Sequence, residues 1–203
     1  MIVYGGALAL GLLLGWLRGG TFDALGRRSV RRLWLVPLAL AVEIVIALGV
    51  GREVPPWVWP AHVAAYAALV AVVVSNRRLA GMPALGLGLL LNATVIALNG
   101  GLMPEAPETL HVVHPGEQVA VGQHLPRTKD VVLPHEQARL WWLGDVIATP
   151  RGFPAPAVCS AGDLVVAAGL AWTVIGLMRR GGAENETRKE RTLWHLMSSL
   201  PSS

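Results

Sequence analysis

The stretch WVWPAHVAAYAALVAVVVS, Trp57–Ser75, is followed at once by Asn76, Arg77 and Arg78. As a helix rising 1.5 Å per residue it is about 28 Å long, close to the ~30 Å hydrocarbon thickness of a bilayer. Tryptophans open it and arginines close it, as interfacial anchors and a polar boundary do for a membrane span. Four more runs share this character, at 2–17, 33–50, 80–98 and 161–178. The chain is 53% apolar and only 15% charged, and a soluble domain of its length would carry more charge. The expected fold is therefore all-α, a polytopic membrane helix bundle with five transmembrane helices. A soluble bundle of buried helices would leave the near absence of charge inside the runs unexplained. The first run is short and is expected to tilt little or to thin the bilayer locally.

Charge sets the expected orientation. Seventeen basic residues sort by side. Arg18, Arg27, Arg28, Arg31, Arg32, Arg77, Arg78, Arg179, Arg180, Arg188, Lys189 and Arg191 fall on one side, and Arg52, Arg127, Lys129, Arg139 and Arg151 on the other. Short basic loops stay cytoplasmic, so the N-terminus is expected outside and the C-terminus inside. Acidic residues show the mirror bias, with Glu53, Glu105, Glu108, Glu117, Asp130, Glu136, Asp145 and Asp163 outside. The basic pI thus reflects topology and excludes a nucleic-acid partner. Met1-Ile2-Val3-Tyr4 lacks the basic start of a signal peptide. Cys159 is the sole cysteine, and it reads as a small packing residue.

The expected organisation is transmembrane helices 1–4 in residues 1–98, an irregular extracytoplasmic cap in 99–160, transmembrane helix 5 in 161–178 and a basic cytoplasmic tail in 179–203. Pro37, Pro60 and Pro83 fall in first helical turns, where a missing N–H costs little. Gly11 and Gly15, and Gly162, Gly169 and Gly176, make small-residue stripes for close helix contact in lipid. Eight prolines exclude long helices from most of the cap. Within it, Val112–Val121 reads as a short strand or turn. His135–Val146 reads as an amphipathic interfacial helix that dips Leu140, Trp141 and Leu143 into the membrane surface. In the tail, 181–189 reads as polar linker, and 191–200 as an interfacial helix or an unstructured end.

Glu43 is the most expensive residue in the runs, because ionisable groups at mid-membrane need a partner. Depth matching points to Asn92, with Glu43 neutral and hydrogen-bonded to it as a structural pin. Proton or cation movement is the functional version of the same pair. Asp145 and Asp163 each follow a glycine at the outer boundary. Asp163 has the bland reading of a helix N-cap. The sharper one makes the two aspartates an acid–base dyad for hydrolysis. Asn99, Gly100, Gly101, Arg139 and Ser160 are expected to supply binding groups around them. His111 and His114, with Glu108 before them, have loose metal-ligand spacing, but no second cluster supports it, and no metal or cofactor is expected. Phosphate loops, nucleotide fingerprints, c-type haem motifs and nucleophile elbows are absent from the sequence.

Three motifs in order carry a resemblance. They are Asn99-Gly100-Gly101-Leu102-Met103-Pro104, then Leu140-Trp141-Trp142-Leu143-Gly144-Asp145-Val146-Ile147 followed by Pro150, then Ser160-Ala161-Gly162-Asp163. Over about residues 1–178 the chain resembles the bacterial family of unknown function DUF5317. The resemblance implies a polytopic protein of the bacterial cytoplasmic (inner) membrane. A fainter similarity is to lipoprotein signal peptidase, in which Asn99, Asp145 and Asp163 would fill analogous places. This chain has five runs against that family's four, lacks its Asn-x-x-Asp-Arg motif, and carries Gly162 where that family has alanine. The expected role is a binding or structural membrane component whose cap meets a lipid or another membrane protein at the outer face. The alternative is an interfacial aspartate-dyad hydrolase.

Overall fold

In the computed structural model, residues 2–27, 29–113, 116, 119–149 and 157–198 are described, with side chains from residue 3 to 179. The chain is mostly helical. The long helices are α1 (Ile2–Leu17), α3 (Leu35–Gly49), α4 (Val58–Ser75), α5 (Met82–Leu98) and α7 (Ala161–Ser198); α2 (Phe22–Arg27) and α6 (Pro107–Val113) are short. Among them α4 and the Ala161–Arg179 part of α7 are long and apolar enough to cross a membrane. The apolar helices α1, α3 and α5 are shorter. Helices stop where the apolar pattern stops, at Arg18, Val50, Asn76 and Asn99.

The helices lie in a row, α3–α4–α5–α7–α1, in which each packs on its neighbours. First and last helices are thus adjacent, and α3 and α1 form the two edges. Glycines set the spacing. A Cβ on Gly88 would sit 2.6 Å from Gly162 O, and one on Gly169 would run into the Leu85 backbone N. Gly11 lets α1 approach Ala171, and Gly15 meets Met178. The expected stripes therefore face neighbouring helices, with Gly162, Gly169 and Gly176 on α5 or the turn before it.

The described residues between 99 and 160 cover the end of the row formed by the carboxyl ends of α3 and α5 and the amino ends of α4 and α7. Strand β1 (Met103–Glu105) pairs in parallel with β2 (Asp130–Val132). Strand β3 (Ile147–Ala148) pairs antiparallel with β4 (Val158–Cys159). Leu102 and Val131 join Ile46, Val50 and Val58 in one apolar cluster, so the cap is seated on α3 and α4. The opposite end gathers Arg18, Arg27, Arg31 and Arg32 with Arg77 and Arg78. There Asn76 binds the Arg31 backbone on both sides, accepting from its N and donating to its O.

Two expectations are corrected. His135–Val146 is not a helix. It runs as turns into a single 3-10 turn at Trp141–Leu143, because Leu140 is left-handed (φ 54°) and Gly144 is extended. Residues 181–189 are not a linker, since α7 runs on as one helix to Ser198. In 112–121, Val112 and Val113 end α6 and Gly116 is a turn residue with positive φ. The rest of that reading, and His114 with it, falls partly outside the described residues.

Large apolar side chains stay uncovered on every long helix, among them Leu13, Leu48, Val74, Leu87, Leu90 and Trp172. Leu48 is 72% exposed. A water-soluble monomer rarely leaves so continuous an apolar surface.

Candidate functional site

The amino end of α7 is built as a capping box. Ser160 precedes the helix and its Oγ accepts from Asp163 N at 3.0 Å, while Asp163 Oδ2 accepts from Ser160 N at 3.3 Å. Ser160 is therefore the N-cap, a place the sequence reading gave to Asp163. Asp163 is left with Oδ1 free for other helices. It accepts there from Tyr4 Oη of α1 at 2.5 Å and from Asn92 Nδ2 of α5 at 2.6 Å. The Ser160 hydroxyl donates to Asn92 Oδ1 at 2.9 Å. Only Gly162 leaves space for Asn92 here, since a Cβ would collide with its Oδ1.

Asn92 is thus committed to α7, and the expected Glu43–Asn92 pair does not form. Glu43 Oε1 instead meets His62 Nε2 of α4 at 2.8 Å. Depth matching chose the wrong helix because α3 packs on α4, not on α5. His62 is fully buried, and its Nδ1 lies 2.6 Å from Gly101 O. A carbonyl only accepts, so Nδ1 carries a proton. Glu43 Oε1 and the other ring nitrogen, Nε2, then make a carboxyl–imidazole contact. One turn on, the Tyr66 ring lies tilted against that of His62, with centroids 5.5 Å apart, and its Oη accepts from Lys129 Nζ at 3.3 Å.

Lys129 completes the centre from the cap side. Burial pulls its ammonium pKa down, but Tyr66, Glu43, Tyr4 and Asp163 all face it and together hold the pKa well above the ordinary lysine value. Every long helix therefore sends at least one polar group to this end of the row: Tyr4, Glu43, His62 with Tyr66, Asn92 and Asp163. Below it, Val73, Met82, Leu89 and Val166 make an apolar layer.

A second cluster sits inside the cap. Glu105 ends β1, Asp130 begins β2, and Asp145 bridges to Glu105 in parallel register. All three are buried, Glu105 at 0% and Asp145 at 4% exposure. Both Glu105 oxygens and Oδ1 of Asp130 and of Asp145 have no hydrogen-bond partner. Burial pushes Glu105 up to about 8, with the Asp145 charge adding to it. Burial also raises Asp130 and Asp145, and each is raised further by a neighbouring carboxylate. The neighbouring Asp130 carboxyl group raises Asp145 further, since two buried carboxyl groups so close cannot both ionise easily. Asp145 therefore pairs with Asp130, and not with Asp163, whose charge it only senses.

Asn99 bonds backbone, not carboxylate. Its Oδ1 accepts from Arg139 N at 2.8 Å and its Nδ2 donates to Arg139 O at 2.9 Å, which ties the cap to the end of α5. The Arg139 side chain is exposed. Gly100 and Gly101 have φ of 78° and 95°, and Gly101 presses on the Trp59 backbone. His111 is exposed, and no group of three or more His, Cys, Asp or Glu among the described residues is placed to hold a metal ion. Sequence reasoning passed over Tyr4, His62, Tyr66, Glu105, Lys129 and Asp130. For His62 and Tyr66 a signal existed, since two polar rings one turn apart inside a span seek the same neighbours.

A family model described as a family of unknown function, DUF5317, matches residues 27–175. The chain belongs to this family. No curated protein and no solved structure matches it. The DUF5317 match takes in Glu43, His62, Tyr66, Asn92, Lys129 and Asp163, while Tyr4 lies before it. In this DUF5317 chain the Glu43–His62 pair has a direct test. Glu43→Gln keeps a partner for His62 Nε2, whereas Glu43→Leu strands a fully buried ring nitrogen. The leucine variant is expected to be less stable than the glutamine variant by about 1–3 kcal/mol. Thermal unfolding in detergent measures this, and equal midpoints would show that the pair contributes nothing.

Proposed function

We propose that the chain is a five-span protein of the bacterial inner membrane, with its N-terminus and cap outside, that acts as a binding component at the outer membrane interface. The observation that carries this reading is the convergence of polar groups from all five long helices on one end of the row. Ionisable groups within spans are costly and mark functional positions. Here they are paired under a cap and continue no further, since the layer beneath them is apolar. That one-sidedness favours a site at the outer face over a path for protons or cations through Glu43. Uncovered apolar side chains on every long helix support the lipid setting. Trp57, Trp59, Trp141 and Trp142 are exposed at the cap end, and Trp16 and Trp34 at the basic end, as two aromatic belts would be.

Cysteine labelling tests the topology. In a Cys159→Ala background, Gln123→Cys should react with a membrane-impermeant maleimide in intact cells, and Glu184→Cys should react only after lysis. Reaction at 184 and not at 123 would invert the orientation and put the cap inside.

A second reading, an acid–base hydrolase, draws on the Asp130–Asp145 pair, because two carboxyl groups sharing a proton can act as base and acid. Both are buried within the cap, so this reading needs the cap to open before a substrate arrives. It predicts hydrolysis of a labelled lipopeptide by the purified protein, lost in Asp145→Asn while the fold persists.

A further inference from the structure

At the end of the row away from the cap, a buried side chain holds a loop backbone in place. Asn76 closes α4 and is 7% exposed. Its Nδ2 donates to Val72 O at 2.7 Å within the helix, and to Arg31 O at 2.8 Å in the loop before α3. Its Oδ1 accepts from Arg31 N at 2.9 Å. The Asn76 carbonyl also accepts from Leu79 N at 2.8 Å, which makes Arg77 and Arg78 the central residues of a closed turn. On the loop side, Leu35 N donates to Arg32 O at 3.0 Å, so the chain turns into α3 directly after the Asn76 contact.

Arg31, Arg32, Arg77 and Arg78 therefore stand no more than two residues from one hydrogen-bonded junction. All four are exposed. None of their side chains has an acidic partner among the described residues. Residues 24–42 and 54–104 contain no aspartate or glutamate. Leu33 and Trp34 follow the first pair and are 54% and 67% exposed. Membrane orientation asks only that basic residues lie near this boundary. It does not ask for a buried asparagine that fixes two arginine pairs against each other. Guanidinium groups bind phosphate oxygens through two parallel N–H donors, and positioned pairs of them suit a phosphodiester.

We propose that the Arg31–Arg32 and Arg77–Arg78 pairs form a headgroup site for an anionic phospholipid of the adjoining leaflet, with Leu33 and Trp34 beside its glycerol and upper acyl chains. The proposal rests on the membrane reading above and adds a ligand at the end of the row opposite the cap. Charge selects the lipid. An ethanolamine headgroup would bring an ammonium among four cations with no carboxylate to receive it, whereas a glycerol headgroup leaves the phosphate charge uncompensated. The exposed apolar side chains next to the arginines suit a lipid and would serve no purpose toward a free phosphate ion.

Native mass spectrometry of the purified full-length protein tests this with added phosphatidylglycerol or phosphatidylethanolamine of the same acyl chains. The wild-type chain is expected to retain the glycerol lipid about fivefold more than the ethanolamine lipid. Arg31→Gln with Arg32→Gln, or Arg77→Gln with Arg78→Gln, should lower retention of the glycerol lipid about tenfold. Arg18→Gln with Arg27→Gln removes the same charge from the same end, away from the Asn76 junction, and should leave retention within about twofold of the wild type. All six positions are exposed, and surface substitutions of this kind leave a fold intact. Equal retention of the two lipids by the wild-type chain overturns the proposal without any variant having to fold. An equal loss in the variants at 18 and 27 overturns it too, because net charge and not the junction would then hold the lipid. Either result leaves the five-span reading standing, because the cysteine labelling decides that separately.

Discussion

Gly169→Ala is expected to unfold at much lower temperature than the wild type, at a cost of about 3 kcal/mol, or not to accumulate at all. Adding a methyl group to a packed site costs ~1–3 kcal/mol when side chains can adjust. Here the methyl meets backbone, the Leu85 N and, at 2.7 Å, its Cα. A helix backbone cannot yield locally, so α5 and α7 must separate. Their separation would also loosen Gly88 against Gly162 O, and with it the Asn92–Asp163 bond. The controls lie in the same chain. A Cβ at Gly5 or Gly6 meets nothing within 4 Å, so alanine there should change stability by less than about 0.5 kcal/mol. Gly176→Ala should fall between, its Cβ reaching the Ala80 Cβ at 3.1 Å. Equal unfolding midpoints for the variants at 5 and 169 would show that the α5–α7 contact is not as close as drawn.

The cap should lose stability as pH rises, and Glu105→Gln should remove part of that loss. Glu105 binds its proton more tightly in the folded chain, where its pKa is about 8, than in the unfolded chain, where it is about 4.5. Its favourable contribution is therefore complete below the unfolded value and is lost as pH climbs through the folded one. Across that window each pH unit removes about 1.4 kcal/mol. Asp130 and Asp145 are shifted the same way and add to the slope, while Lys129 opposes it for Asp130 and Asp145. Unfolding followed by tryptophan fluorescence from pH 4 to pH 9 is the measurement, since Trp141 and Trp142 lie just before Asp145. At pH 4 the variant and the wild type should be alike. Above pH 8 the variant should be several kcal/mol more stable, and a difference independent of pH would mean that Glu105 is already ionised or exposed.

How far the site could be read from sequence follows from which contacts are local. The ends of α1, α3, α4 and α5 were legible because each apolar run is interrupted by arginine, asparagine or glycine, whereas α7 runs on past its apolar run to Ser198. The Ser160–Asp163 box was legible as a helix start, since its two members are three residues apart. Helix adjacency was not. Glu43 and Asn92 lie at similar depths on helices of the same direction, and nothing in either run says that α3 packs on α4. The Asp145–Asp130 pair was hidden for a related reason. A three-residue parallel strand pair brings Met103 beside Asp130 across a loop with no periodic pattern. Segment 135–146 misled because its apolar spacing suits a helix, while the left-handed Leu140 that breaks it carries no turn signature of its own.

The adjacency of α1 and α7 has a consequence for biogenesis. Helix α1 is made well before α7 and finds its partner only when α7 follows, with 159 positions separating Tyr4 from Asp163. Until then α1 keeps uncovered the glycine face that will receive Ala171 and Met178. Assembly therefore cannot proceed helix by helix from the N-terminus. The α3–α4–α5 segment can gather early through neighbours in sequence, and synthesis of α7 then recruits α1 in a late, non-local step. A nascent chain stopped before residue 161 would hold α1 as an orphan, without the helix it packs on.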